Sequence, residues 1–336
     1  MLRILHDTKV DFIRLWRIAT VGILAFILPA IVWIPISGFN YSMEFTGGTL
    51  VHVKFKQVQS LAEVRSTLVG AGLPDAEPAT FGTENEFIIR AREAESAASS
   101  PADTVQTGAE SVAARITSAL EGKYGRGSFS IEKADAVGPK VGGELRQQSA
   151  MALLIAFGLT LIYLAWRFEW RFGVASILAT VHDIIATLAL MKYLNIEISV
   201  FVVGAILTVI GYSLNDKVVV FDRVRENLKL HRKSTLYDLL NRSVNETLPR
   251  TVMTGSTTLA TLLALLIFGG DVIRPFAIIL VFGILVGTFS SIFVASPILL
   301  AIEKRWPPAP GERGGVGSPI SRQSLQGGPA RPRTQT

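Results

Sequence analysis

The 336-residue chain is 49% hydrophobic and only 18% charged, well short of the roughly 25% charge of soluble domains, which points to lipid rather than water. Its net charge of +6 does not make it a nucleic-acid binder, because no compact basic face with interleaved aromatics accompanies that charge. The absence of cysteine excludes disulfides, thiolate chemistry and cysteine-based metal sites, and the four histidines, His6, His52, His182 and His231, lie too far apart to pair as ligands. Neither a metal nor a cofactor is expected.

Residues 1–17 carry Arg3, Lys9, Arg14 and Arg17 and precede an apolar run, Ile18–Ile36. A bilayer needs about 20 residues of helix. The run is too long for a secretory leader and no small-x-small cleavage site follows, so an uncleaved anchor is expected. The segment from Ser37 to Gln148 then reads as strand, helix, two strands, helix, strand. TLVHVKF (Thr49–Phe55) alternates as a half-buried strand does. In SLAEVRSTLVGAG, Ser60 and Glu63 have the spacing of a capping box, with Gly70 or Gly72 as the stop. PATFG and EFIIRA supply two more strands, a helix is expected near 108–124, and FSIEKADAV closes the set. This βαββαβ order is the ferredoxin-like arrangement. Between its halves, EAESAASSPADTVQTG is small and polar, the composition of a flexible loop.

Five further apolar runs follow: Ser149–Trp166, Phe172–Met191, Ile198–Phe221, Arg250–Phe268 and Pro275–Ala301. Basic residues gather at alternate ends of them. Arg167 and Arg171 occupy one loop, a second holds Arg223, Arg225, Lys229, Arg232, Lys233 and Arg242, and Lys304 and Arg305 follow the last run. The opposing loops, KYLNIE and GGDVIR, hold one basic residue each. By the positive-inside rule both termini are cytosolic and residues 37–148 lie outside. The fold class is therefore an all-α bundle of six transmembrane helices (residues 18–36 and 149–301) with one α+β outer domain. Residues 302–336, rich in Pro, Gly, Ser and Arg, are expected to form a disordered basic tail.

Function has to come from the polar groups inside the spans, where an ionisable side chain costs about 2.5–3.5 kcal/mol on insertion scales. Asp216, in GYSLNDKVVVFDR, lies five residues before the expected end of its span, roughly 8 Å deep at 1.5 Å per residue. It can serve as a structural acceptor paired with Arg250, or as a group that changes its charge. Lys217 is about 100° around the helix from it and long enough to snorkel toward the headgroups. Arg250, Thr254, Thr257 or Thr258, and Thr261 recur at helical spacing, a stripe that should face protein or a wet cavity rather than lipid. His182 and Asp183 fall at the centre of their span, as a structural hydrogen bond or a proton relay. Gly283 and Gly287 form a GxxxG packing face extended by Ser290, Ser291 and Ala295; Gly204 and Gly211 are expected to pack likewise.

Several motifs together resemble the SecF family, the smaller subunit of the bacterial SecD–SecF export complex and a relative of the RND transporters. They are EFTGGT (Glu44–Thr49), VGPKVGGEL (Val137–Leu145), VHD, GYSLNDKVVVFDRVREN, LPRTVMTGSTTL and FGILVGTFSSIFVASPILL. The resemblance runs from Arg14 to about Leu300. It implies an inner-membrane protein with a periplasmic ferredoxin-like domain that uses the proton-motive force, with SecD, to drive and complete preprotein export. The partners it implies are SecD, the SecYEG channel, YajC, the exported preprotein and lipid. Matching positions imply proton passage at Asp216 and Arg250, with Thr254 one turn on; Asp183 and His182 are further candidates. The chain departs from the pattern at Lys217, where threonine is usual, and at Pro249 and Gly255, where serine is common. No enzyme is expected, since P-loop, G-x-S-x-G and H-E-x-x-H motifs do not occur. Two other classes compete: a proton-driven RND-type small-molecule exporter subunit, and a non-transporting scaffold of a membrane complex.

Overall fold

The computed structural model describes residues 8–91, 104–231 and 233–307. Six helices among them are long and apolar enough to cross a membrane. The first, α1 (Phe12–Ser37), begins at Phe12 rather than Ile18 because Asp11 caps it, its carboxylate accepting from the Arg14 N–H at 3.0 Å. Asp11 also clasps α8 (Leu236–Phe268), accepting from the Tyr237 hydroxyl at 2.7 Å and from the Asn241 amide at 2.8 Å. The Tyr237 hydrogen bond leads in holding the Asp11 carboxyl below the usual carboxylate range. Asn241 and Asn245 accept from the Ile13 and Val10 N–H groups, each at 3.0 Å, so the start of the chain is tied to three successive turns of α8.

Between the first two spans the chain folds as a short helix α2 (Met43–Thr46), β1 (Gly48–Phe55), α3 (Leu61–Gly70), β2 (Glu77–Phe81), β3 (Thr83–Ala91), α4 (Thr104–Tyr124) and β4 (Phe129–Val137). The four strands form one antiparallel sheet in the order β2-β3-β1-β4. Alternation on β1 and β3 sends Val51, Val53, Phe55, Phe87 and Ile89 to one face, against Val64 and Leu68 of α3 and Val112, Ile116 and Leu120 of α4. On the other face Lys54 and Glu86 pair at 2.7 Å. Their hydrogen bond is the leading cause that lowers the Glu86 carboxyl and raises the Lys54 ammonium from their ordinary values.

Two local expectations change. Ser60 occupies the N-cap of α3 with extended backbone, but its hydroxyl makes no capping bond, and residues 60–63 are exposed. The polar loop expected over residues 93–108 falls outside the described residues up to 103, and Thr104–Gly108 already belongs to α4.

The remaining helices are α5 (Pro139–Arg167), α6 (Trp170–Tyr193), α7 (Val200–Leu230), α8, α9 (Gly270–Ser290) and α10 (Ser296–Arg305), the last two joined by a π turn at Ser291–Ala295. Several outrun the apolar runs that announce them. In VGPKVGGEL, Val137 ends β4, Gly138 caps α5 and PKVGGEL forms its first turns, while α7 and α8 extend into a hairpin where Leu228 packs in one core with Leu239, Leu240 and Val244. α10 continues the last span to Arg305, so the expected tail starts later, and residues 308–336 lie outside the described residues. Within the bundle α7 lies against α9, with α6 and α8 touching both.

The outer domain is fastened to the bundle at the α6–α7 loop. Ser42 N–H donates to Ile198 O at 3.0 Å, Ile198 N–H to Asn40 O at 2.8 Å, and Val200 N–H to the Glu44 carboxylate at 2.8 Å. Arg90 of β3 adds an ion pair to Glu197. Between α2 and β1, Gly47 and Gly48 hold φ of +78° and +139°, and a Cβ on Gly48 would lie 2.9 Å from Ala91 O. The same turn sits against α5, where a Cβ on Gly142 would come within 3.0 Å of Gly47 N.

Candidate functional site

The central helices meet at small residues. A Cβ on Gly287 of α9 would lie 2.9 Å from Ser213 Cβ of α7, and one on Gly283 would run into Val209. This approach lets the α9 backbone bring Ser290 and Thr288 against α7, one on each side of the charged turn. The π turn starts directly after Ser290, a feature that recurs at functional positions in helices. Gly204 and Gly211 do not share this role: a Cβ on either meets open space, because they lie on a part of α7 that this chain leaves uncovered.

Ser213 and Lys217 are four residues apart on α7 and so share a face. That face is turned to Asp183 of α6. Lys217 Nζ donates to Asp183 Oδ2 at 2.6 Å, and side-chain exposure is 0% for the lysine and 1% for the aspartate. The same oxygen accepts from the Ser290 hydroxyl at 2.7 Å and from the Ser213 hydroxyl, which in turn accepts from Lys217. His182 places Nδ1 2.9 Å from Asp183 Oδ1, and its Nε2 is buried without a hydrogen-bond partner. Lys217 therefore does not snorkel. An ammonium and a carboxylate sealed at one level of the bundle offset each other's desolvation, which neither could do alone.

Asp216, about 100° around α7, is sealed differently. It is 3% exposed and its hydrogen bond is to the Thr288 hydroxyl at 3.1 Å. Lys217 and, after it, Arg250 of α8 act on it through space, but neither makes a direct ion pair with it. Thr254 gives its hydroxyl to Arg250 O at 2.9 Å, and Tyr212 sits near Thr254 and Thr258 without completing a hydrogen bond. The threonine stripe faces out of this chain. Its hydroxyls close on the carbonyl four residues back, Thr257 on Met253, Thr258 on Thr254 and Thr261 on Thr257, at 2.8–3.1 Å.

Of the sequence candidates, then, Asp183 and His182 touch each other, while Asp216, Arg250 and Thr254 form a looser group on another face of α7. Ser213, Lys217, Thr288 and Ser290 were not among the candidate site residues. The available signal was Ser213 and Lys217 at helical spacing within GYSLNDK, facing a span with an unpaired acid at its centre. Among the described residues no group of three or more His, Asp or Glu is placed to hold a metal.

Fold and site together define a polytopic α-helical membrane protein with a compact charge cluster inside its bundle and an α+β domain outside it. The family model described as "Protein export membrane protein SecD/SecF, C-terminal" matches residues 117–305, and the "SecD/SecF GG Motif" matches residues 32–57, the segment containing Gly47 and Gly48. The chain belongs to the SecD/SecF family. Protein translocase subunit SecF of Gemmatimonas aurantiaca is 53% identical over 309 residues, covering 91% of each chain. The SecF subunit of Desulfurispirillum indicum is 41% identical over 299 residues, 88% of this chain and 91% of that one. Among solved structures, the crystal structure of SecDF from Thermus thermophilus, a translocon-associated membrane protein, superposes with a TM-score of 0.76 at 36% identity. A super-membrane-facing form of SecDF gives 0.64 at 37%. These cover 91% and 89% of this chain, which in turn spans only 40% and 39% of those SecDF chains.

Proposed function

We propose that this chain is the SecF subunit of a protein translocase and that, with SecD, it uses the proton-motive force to drive and complete preprotein export across the bacterial inner membrane. Both termini are cytosolic in this reading, and residues 37–148 form a periplasmic domain of ferredoxin-like fold, a reading its β2-β3-β1-β4 order supports. SecYEG, YajC and the exported preprotein are the further partners. No catalytic chemistry is assigned.

The observation that carries the coupling role is the contrast between two buried acids. Three donors converge on Asp183 Oδ2, whereas Asp216 holds one hydroxyl and feels Lys217 and Arg250 without pairing to either. A carboxylate so lightly held can gain and lose a proton with little rearrangement of its neighbours. Protonation would cancel its attraction for Arg250 and let α7 and α8 shift relative to each other. One charge crossing the membrane releases about 2.3 kcal/mol per 100 mV. The fastening of residues 40–44 to the α6–α7 loop supplies a route for that shift to reach the outer domain. Arg250, Thr254, Thr257 and Thr261 face away from the chain's own helices, as a surface completed by SecD would.

Asp216→Asn should abolish the gradient-dependent part of export in membrane vesicles containing SecD, while membrane insertion stays normal. Parental export by that variant would end the coupling role of Asp216.

A further inference from the structure

Lys217 follows Asp216 directly, and an ammonium beside that carboxylate would by itself oppose the arrival of a proton there. The structure gives the lysine another partner. Its Nζ turns to Asp183 Oδ2 at 2.6 Å and also donates to the Ser213 carbonyl at 3.3 Å. That Asp183 oxygen takes two further hydroxyl donors, Ser213 and Ser290, and the other oxygen faces His182 Nδ1. Three donors thus converge on one oxygen of this carboxylate. A proton arriving at Asp183 would strand a buried ammonium.

We propose that Asp183 is the resident counter-ion of Lys217. It stays ionised, takes no part in proton exchange, and cancels the lysine charge so that Asp216 is left free to titrate. The proposal rests on the reading of Asp216 as the coupling acid. It makes Asp183 and Lys217 positioning residues. The groups around Asp216 are Tyr212 and Lys217 on its own helix, Arg250 and Thr254 on α8, Thr288 on α9, and, through Lys217, Asp183 and His182 on α6. Lys217 and Arg250 both act on Asp216 through space, and the Asp183 contact offsets the first of the two.

The test uses Asp183→Asn, Lys217→Met and the double variant of the full chain, in vesicles with SecD, with export normalised to inserted protein. Asp183→Asn leaves Asp216 as the acid that must balance the lysine charge, so the pH of half-maximal gradient-driven export should move toward acid by about one unit, tenfold in proton concentration. The double variant should return that midpoint to the parental value and keep gradient-driven export. An unchanged midpoint in Asp183→Asn overturns the proposal. So does a double variant that inserts normally but has lost the gradient-driven component, since Asp183 would then carry protons itself. Thermal melting in detergent is read separately: each single change should lower it and the double should restore it, an outcome that does not involve Asp216. Should that rescue hold while Asp216→Asn exports like the parent, the ion pair stands and its link to a coupling acid falls.

Discussion

Gly287→Ala tests the approach on which the whole charged cluster depends. The added methyl would lie 2.9 Å from Ser213 Cβ and 3.2 Å from Ser213 Cα. Carbon pairs prefer about 3.5–4.0 Å, so α7 and α9 must part by roughly 0.5–1 Å at this level. The obstacle is the root of a side chain and its backbone, which cannot swing aside as the end of a long side chain could. Overpacking of this kind costs about 1–3 kcal/mol. It also moves Ser213, whose hydroxyl bridges Lys217 and Asp183, so the damage should reach the ion pair as well as the packing. The assay is thermal melting of the purified chain without its partner, alongside gradient-driven export with it. Gly211→Ala and Gly204→Ala are the controls: their methyls meet open space in this chain, and alanine is favoured over glycine in a helix by about 1 kcal/mol. They should melt no lower than the parent. If Gly287→Ala melts like Gly211→Ala, the close contact does not govern the bundle and the reasoning fails.

Two further outcomes follow from groups outside the spans. Glu86, whose folded value lies below the ordinary carboxylate range through its bond to Lys54, stabilises the outer domain at neutral pH. That contribution is present above its unfolded value and lost as pH falls through the lower folded one. Urea midpoints of the outer domain should therefore drop on acidification, and Glu86→Gln should flatten the drop; an equal acid slope in both proteins would remove Glu86 as its source. Asn241→Ala and Asn245→Ala each remove hydrogen bonds to the start of the chain, worth about 0.5–1.5 kcal/mol apiece. Exchange at the Ile13 and Val10 amides should rise correspondingly, with unchanged protection contradicting the clasp.

What the sequence discloses about this protein follows the range of the interaction concerned. Alternation in TLVHVKF reflects a neighbour on one face of a strand, and β1 lies where that pattern puts it. Apolar runs record contact with lipid, so they locate six spans but understate α7 and α8, whose ends are held by each other through Leu228, Leu239 and Val244. Asp216 is visible as an acid too deep for water because depth is counted along one helix. The partner of Lys217 is not visible in that way, since Asp183 lies 34 residues earlier and only the α6–α7 packing decides that the two face each other. Opposite charges inside two consecutive spans are nonetheless a usable sign, because each is costly to bury without the other. The threonine stripe of α8 marks the limit. Helical spacing establishes that Thr254, Thr257 and Thr261 form one row, but such a row is written identically whether it faces the same chain, another chain or neither. Here the row is turned outward, its hydroxyls closed on the helix's own carbonyls.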